Sequence, residues 1–193
     1  NNAALSTWAT PNLAYQSADT SSTFNDRMIF ITHQNLMPLI EKRIAREARS
    51  CLDGYASSHS NTYPWAAPVS DTTNYAGTTN TLFGRLPTFS GCTLFSSSYW
   101  PDWRNLVFYQ IAAGYAPGGG VICGTSCLTI TGSGNTVAGS GTYRAAIAVA
   151  GKMKPGQTSR NATLVSDYLE LLNQSGKTDV PTNTSFETYK TFD

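Results

Sequence analysis

The residues with the most definite chemistry in this sequence are its four cysteines, Cys51, Cys92, Cys123 and Cys127. An even number of cysteines in a chain of this composition favours two disulfides, and four cysteines allow three connectivities. A zinc site would favour Cys-x-x-Cys pairs or nearby histidines, but Cys123 and Cys127 are four positions apart with no histidine beside them. We therefore predict the disulfides Cys51–Cys92 and Cys123–Cys127, with no bound metal and no cofactor.

The two histidines give little support for catalysis. His33 and His59 stand at the two ends of a predicted helix, roughly 35–40 Å apart at about 1.5 Å per residue, so they cannot share a metal. A Ser/His/Asp triad of His59 with Asp53 or Asp71 is conceivable, and Asp102 could belong to a carboxylate pair for glycoside hydrolysis. Neither site has a supporting local motif. We expect a protein that is not an enzyme and that has no catalytic residues, with a secreted hydrolase as the least favoured alternative.

Charged side chains are concentrated in one short stretch. Of the 13 basic and 12 acidic residues, six lie between positions 41 and 49. One interpretation is a solvated helix face with an Arg43–Glu47 pair that contributes about 0.2–0.5 kcal/mol. The other is a partner-binding face, formed by Lys42, Arg43, Arg46, Glu47 and Arg49.

Aromatic residues are concentrated in the next segment, residues 59–105, which is also rich in Pro, Gly and Asn. So many rings cannot all face water, so we expect this long connection to pack against the preceding helix. The alternative interpretation is that this aromatic-rich loop forms a platform for a carbohydrate or another surface. The candidates for that platform are Trp65, Tyr99, Trp100 and Trp103.

The composition of the whole chain bounds its function. The chain has 193 residues, a formal net charge of +1 and 13% charged residues, whereas soluble domains average about 25%. This balance argues against nucleic acid or an anionic membrane as a partner. The neutral, Ser/Thr-rich surface favours an extracellular or cell-envelope location. Because no signal peptide or apolar stretch of about 18 residues occurs, we expect Asn1 to begin a processed or trimmed product.

The pattern along the chain predicts an α+β fold in one domain, residues 1–193, with one long amphipathic helix packed on an antiparallel sheet. A lead-in with a strand at 27–32 occupies residues 1–31, the helix 32–58, and the aromatic loop region 59–105. The sheet is expected within 106–160, as three strands at 106–116, 121–132 and 143–151. A short helix at 166–176 and an edge strand near the end fill residues 161–193.

The long helix is predicted from apolar residues that recur every three or four positions. Thr32 or Asn35 can cap its start. Its apolar stripe comprises Leu36, Ile40, Ile44, Ala48, Cys51 and Tyr55, widened by Leu39 and Leu52.

Four stretches of the sequence resemble bacterial prepilin-type proteins, the minor pilins and pseudopilins of type IV pilus and type II secretion systems. The most specific is STFNDRMIFITHQNLMPLIEKRIAREARSCLDGYA, residues 22–56, followed by NTYPWAAPVSD, residues 61–71. Residues 143–160 and 167–176 also look similar. The resemblance implies an exported subunit at or near the tip of a filament, with a helix on an antiparallel sheet and no active site to carry over.

The defining segment of that family, a leader followed by a long apolar helix with a Glu near its start, does not occur in this sequence. We expect either the soluble part of such a subunit or a relative that does not polymerise through that helix. The favoured function is therefore a structural or priming subunit whose partners are other pilin-like subunits or the pilus or secretion machinery. A membrane would be contacted only through the missing segment. The alternative is a secreted surface-binding or carbohydrate-binding module.

Overall fold

The fold is α+β, with one main helix and an antiparallel sheet. The computed structural model describes residues 32–122, 127–132, 143–153 and 156–188. The chain divides into two compact units, Asn1–Leu36 and Met37–Asp193. Only residues 32–36 of the first unit are described, and the strand predicted at 27–32 falls almost wholly outside the described residues.

The main helix, α1, spans His33–Ser58 and confirms the helix predicted at 32–58. Its start is capped reciprocally: the Asn35 amide donates to Thr32 Oγ1 and the Thr32 amide donates to Asn35 Oδ1, each at 3.3 Å. The predicted apolar stripe is buried only in part. Leu36 and Leu39 are 45% and 66% exposed, because the core under the helix is built from Ile40 onward.

Five strands are described. They are β1 (Phe83–Arg85), β2 (Val107–Ile111), β3 (Thr129–Gly132), β4 (Ala145–Val149) and β5 (Ser185–Thr188). An antiparallel sheet has the order β1-β2-β4, and a second, two-stranded sheet pairs β3 with β5 in parallel. A one-turn helix, α2 (Trp100–Trp103), precedes β2.

The three strands predicted within 106–160 are present, but they do not form one antiparallel sheet. β2 pairs directly with β4, and the intervening β3 pairs with β5 near the end of the chain. The third strand of the main sheet, β1, comes from the segment expected to be loop. The reason is tertiary: the three residues of β1 are buried on both faces, and so short a run has no periodicity of its own.

The short helix predicted at 166–176 is wrong. Two 3₁₀ turns, Val165–Asp167 and Leu171–Asn173, take its place. Glu170 between them is extended (φ −132°, ψ 161°) and Leu171 has a φ of +49°. The interruption lets the adjacent residues Tyr168 and Leu169 both enter the core.

Strand β2 lies between two apolar layers, and all five of its side chains are buried. Its odd-numbered side chains pack in one cluster with Ile44, Ala48 and Leu52 of α1. Phe108, on the opposite face, packs with Phe83 and Tyr168. The main sheet thus carries α1 on one face and the turns of residues 165–169 on the other.

One disulfide is described, not two. Cys51 of α1 is bonded to Cys92, which confirms that predicted pair. Cys127 is also disulfide-bonded, but Cys123 lies outside the described residues, so the pair Cys123–Cys127 stays a prediction. Within the described part of the chain, no helix has both the length and the hydropathy needed to span a bilayer.

Candidate functional site

A cleft of about 680 Å³ lies between α1 and the start of β4. Three basic residues of α1 line it, Lys42, Arg46 and Arg49, and their i, i+4, i+7 spacing places them along one face of the helix. Arg144, immediately before β4, lines the cleft from the sheet. The remaining lining residues are small, apolar or aromatic apart from one acid: Ala45, Leu52, Asp53, Tyr63, Ile130, Tyr143, Ala145, Ala146 and Ile147.

The structure therefore divides the predicted partner-binding face in two. Lys42, Arg46 and Arg49 line the cleft, whereas Arg43 and Glu47 are not among its lining residues. Arg43 Nε lies 2.7 Å from Glu47 Oε1. The Tyr99 hydroxyl donates a hydrogen bond to Glu47 Oε2. Burial by itself would raise the pKa of Glu47, but the hydrogen bonds from Tyr99 and Arg43 outweigh it, and the pKa lies below its ordinary value. Glu47 is thus held ionised by two partners.

The described lining of the cleft has more cationic than acidic side chains. Four cationic side chains face one carboxylate, Asp53, among the described lining residues. That carboxylate accepts a hydrogen bond from Arg49 Nε at 3.4 Å, and both side chains are mostly exposed. An exposed pair of this kind contributes about 0–1 kcal/mol, so a ligand can compete for Arg49.

Two side chains of the cleft, Arg144 and Tyr63, have surroundings that the structure defines. The Arg144 guanidinium lies 5.0 Å from the centroid of the Tyr115 ring, a buried residue. Burial raises the pKa of the Tyr63 hydroxyl, with a smaller contribution from the charge of Asp53. Tyr63 therefore stays protonated, a neutral hydroxyl beside the cations.

The four aromatic platform candidates are packed on the core. Trp100 is 6% exposed, and the other three, Trp65, Tyr99 and Trp103, are half-buried against the same cluster. Tyr99 also lies beside Arg43, whose guanidinium is 5.3 Å from its ring centroid. The arrangement agrees with the expectation that this segment packs against α1.

His59 is exposed just beyond the end of α1. Its ring stacks on Tyr55 with centroids 3.8 Å apart, and Nδ1 lies 2.9 Å from both Ser58 Oγ and the Tyr55 carbonyl oxygen. The acids considered for a triad are engaged elsewhere: Asp53 with Arg49, and Asp71 with backbone amides of residues 73–76. The side chain of His33 is outside the described part of the structure.

Arg144, Tyr63 and Tyr143 are site residues that the sequence did not reveal. Residues 143–151 look like an ordinary strand, and Tyr63 belongs to a segment of many rings, so nothing local links them to the helix cations. A Tyr-Arg pair at the start of an otherwise small-residue strand is the one available signal. The chain matches no protein-family model, no curated protein and no solved structure.

Proposed function

We propose that this protein is a non-enzymatic structural or priming subunit of an extracellular filament of the type IV pilus or type II secretion kind. The observation that carries the proposal is the division of α1 into two parts. Between Ile44 and Leu52 one face of the helix is buried in the core, whereas Leu36 and Leu39, one turn apart, are exposed. Apolar side chains on one exposed helix face are suited to contact with neighbouring subunits.

Two further observations support the proposal. The sequence resemblance implies a helix packed on an antiparallel sheet, and α1 and the β1-β2-β4 sheet have that relation. The Cys51–Cys92 disulfide is compatible with an oxidising, extracellular or cell-envelope location. The proposed partners are other pilin-like subunits or the pilus or secretion machinery.

Filament incorporation can be tested in the native host with a chromosomal, epitope-tagged copy of the full gene. Filaments are sheared from the cells, and the tag is quantified in the sheared fraction and in whole cells. We expect the tag in the sheared fraction, and we expect the double variant Leu36→Gln/Leu39→Gln to lower its amount several-fold while whole-cell abundance stays constant. Leu171→Gln is the matched control, because Leu171 is 55% exposed on a different element.

Two results would contradict the proposal. One is recovery of the tag as a free protein in the culture medium with none in sheared filaments. The other is a full-length gene that encodes a cleavable secretory signal and no apolar N-terminal helix. If Leu171→Gln lowered the amount of tag in the sheared fraction equally, the exposed face of α1 would have no specific role in assembly.

A further inference from the structure

We propose that the outer edge of β4 binds an extended peptide segment of a partner protein, which adds to the main sheet as an antiparallel strand. The proposal goes beyond filament assembly and does not depend on it. In the sheet order β1-β2-β4, the outward side of β1 is covered, because Arg85 pairs there with Ala67. β4 forms the opposite edge of this sheet, and no further strand pairs with it among the described residues.

The register of β4 determines which of its backbone groups face outward. The Ala150 amide donates to the Leu106 carbonyl oxygen at 2.8 Å. Because bonded and non-bonded positions alternate in an antiparallel pair, the even-numbered residues of this segment bond to β2, and the odd-numbered residues direct their N–H and C=O groups away from it. Tyr143, just before β4, agrees with this pattern, since its two outward groups exchange hydrogen bonds with Leu128.

Beyond that bridge the edge is open in the described structure. Ala145, Ile147 and Val149 present their N–H and C=O groups outward, and none of these groups has a hydrogen-bond partner among the described residues. The edge also lacks the usual protection against pairing. Its sequence, AAIAV, contains no charged residue and no proline, and its pairing with β2 has no bulge. An edge of this kind is a template for the backbone of another strand.

The cleft between α1 and β4 provides space for the added strand. Its volume is about 680 Å³, and Ala145 and Ile147 are among its lining residues. The side chains of the odd-numbered residues of β4 pack in the cluster that contains α1. In an antiparallel pair, residues directly opposite each other have their side chains on the same face of the sheet. Every second side chain of the peptide therefore points toward α1.

The charges around the cleft determine which partner is favoured. The described lining contains four cations and one acid, Asp53, and a Cβ added to Gly151, just past β4, would lie 3.7 Å from Glu41 Oε1. Each of the cations has an interaction within the chain, so they act on a partner through their summed field. We therefore expect acidic residues at the peptide positions that point toward α1. A second copy is disfavoured, because pairing two β4 edges about a twofold axis would bring the same cations together.

The test is nuclear magnetic resonance of the purified chain with an acetylated and amidated octapeptide of alternating Glu and Thr. In the free chain, the amides of Ala145, Ile147 and Val149 should exchange with solvent at least about tenfold faster than those of Ala146 and Ala148. Bound peptide should remove this difference. If all five amides were already protected in the free chain, the edge would be covered and the proposal would be wrong.

Methylated peptides test the backbone pairing without any change to the protein. N-methylation of the Glu residues removes the N–H groups that face β4 and should weaken binding at least about tenfold. N-methylation of the Thr residues is the matched control and should change affinity less than about threefold, because those N–H groups face away from β4. Lys in place of Glu should also weaken binding about tenfold. Lack of binding by the unmethylated peptide, equal losses with the two methylated peptides, or equal binding of the Lys peptide would each overturn the proposal.

A pair of variants repeats the test from the protein side. Val149→Pro removes one outward N–H group and leaves the bonds to β2, and proline is tolerated at such an edge position. It should weaken peptide binding about tenfold, whereas Val149→Ala, which shortens the same side chain and keeps the N–H group, should change it less than about twofold. Unfolding temperatures establish that both variants are folded. Sedimentation of the free chain should show a monomer, and a dimer that Val149→Pro dissociates would assign this edge to a second copy instead.

Discussion

Lys177 is a buried cation whose nearest partners are uncharged. It is 6% exposed, and its Nζ donates to Gln110 Oε1 at 2.6 Å and to the carbonyl oxygens of Asn183 and Ser185 at 2.9 and 3.0 Å. The Phe186 ring centroid lies 3.7 Å away. Burial lowers the pKa of the amine to about 8. Lys177 thus connects β2 to the start of β5 through hydrogen bonds, but the desolvation of its charge is unfavourable.

This burial predicts a pH dependence. The unfolded chain, with a lysine pKa of about 10.4, binds the proton more tightly than the folded chain does, so stability from this group rises with pH between the two values. The wild type should gain about 2 kcal/mol in the free energy of unfolding relative to Lys177→Met between about pH 7 and pH 9.5. Urea unfolding of both proteins at both pH values checks this. The difference between them cancels the tyrosine titrations that both share, and parallel pH profiles would contradict the lowered pKa.

Arg85 is the corresponding cation at the other end of this face of the sheet. It is 1% exposed, its guanidinium lies 3.9 Å from the Phe108 ring centroid and 4.4 Å from that of Tyr168, and it donates to the carbonyl oxygens of Asn105 and Ala162. Burial lowers its pKa to about 10. The neighbouring sequence, TLFGRLP, does not indicate that this arginine is buried. The rings and carbonyl groups that surround its guanidinium come from distant segments of the chain.

At the scale of elements, strand β1 depends on a close backbone approach. A Cβ added to Gly84 would lie 1.9 Å from the carbonyl oxygen of Ala67. Ala67 forms a bridge with the neighbouring Arg85, with both backbone hydrogen bonds present. The glycine is therefore required for the segment around Ala67 to pair along β1.

A pair of glycine substitutions tests this role. Gly84→Ala should lower the free energy of unfolding by at least about 2 kcal/mol, because the rigid backbone of Ala67 must move. Gly54→Ala in α1 is the matched control: nothing lies within 4 Å of its added Cβ, so it should raise stability by about 0.5–1 kcal/mol. Denaturant unfolding compares the two, and a neutral Gly84→Ala would show that the approach is not tight.

Elements with a strong internal pattern were predictable, and those defined by tertiary contact were not. The 26 residues of α1 carry their own apolar period and a Thr32 cap, so the sequence alone places the helix. β1 has three residues and the second sheet pairs β3 with β5 from the far end of the chain. Such pairings are decided by which segments can bury each other, and local periodicity does not encode that choice.

At the scale of the whole molecule, the sequence likewise predicts only part of the cleft. The helix half, Lys42, Arg46 and Arg49, follows from the sequence because charges spaced by three and four share a helix face. The sheet half, Arg144, becomes part of the site only when β4 pairs with β2 and places its start beside α1. Arg43 and Glu47 were predicted to belong to one binding face with these residues. In the structure both contact Tyr99 instead of lining the cleft.

The Cys51–Cys92 disulfide connects α1 to the segment before β2 across 41 positions of sequence. Both cysteines belong to the cluster in which α1 packs on the sheet. In the chain-entropy description, closing a loop of this length restricts the unfolded ensemble by about 4 kcal/mol. The predicted Cys123–Cys127 pair would close a loop of about five residues and would contribute about 2 kcal/mol on the same basis.

These values predict an order of stability for two double variants. Cys51→Ala/Cys92→Ala should lose about 4 kcal/mol of unfolding free energy, and Cys123→Ala/Cys127→Ala about half as much. Guanidinium unfolding of both variants under non-reducing conditions, with mass spectrometry to count the remaining thiols, provides the measurement. Equal losses would mean that loop length does not set the contribution of these bonds, and free thiols at positions 51 and 92 in the native chain would contradict the structure. The larger loss belongs to the first pair because its loop is the longer one.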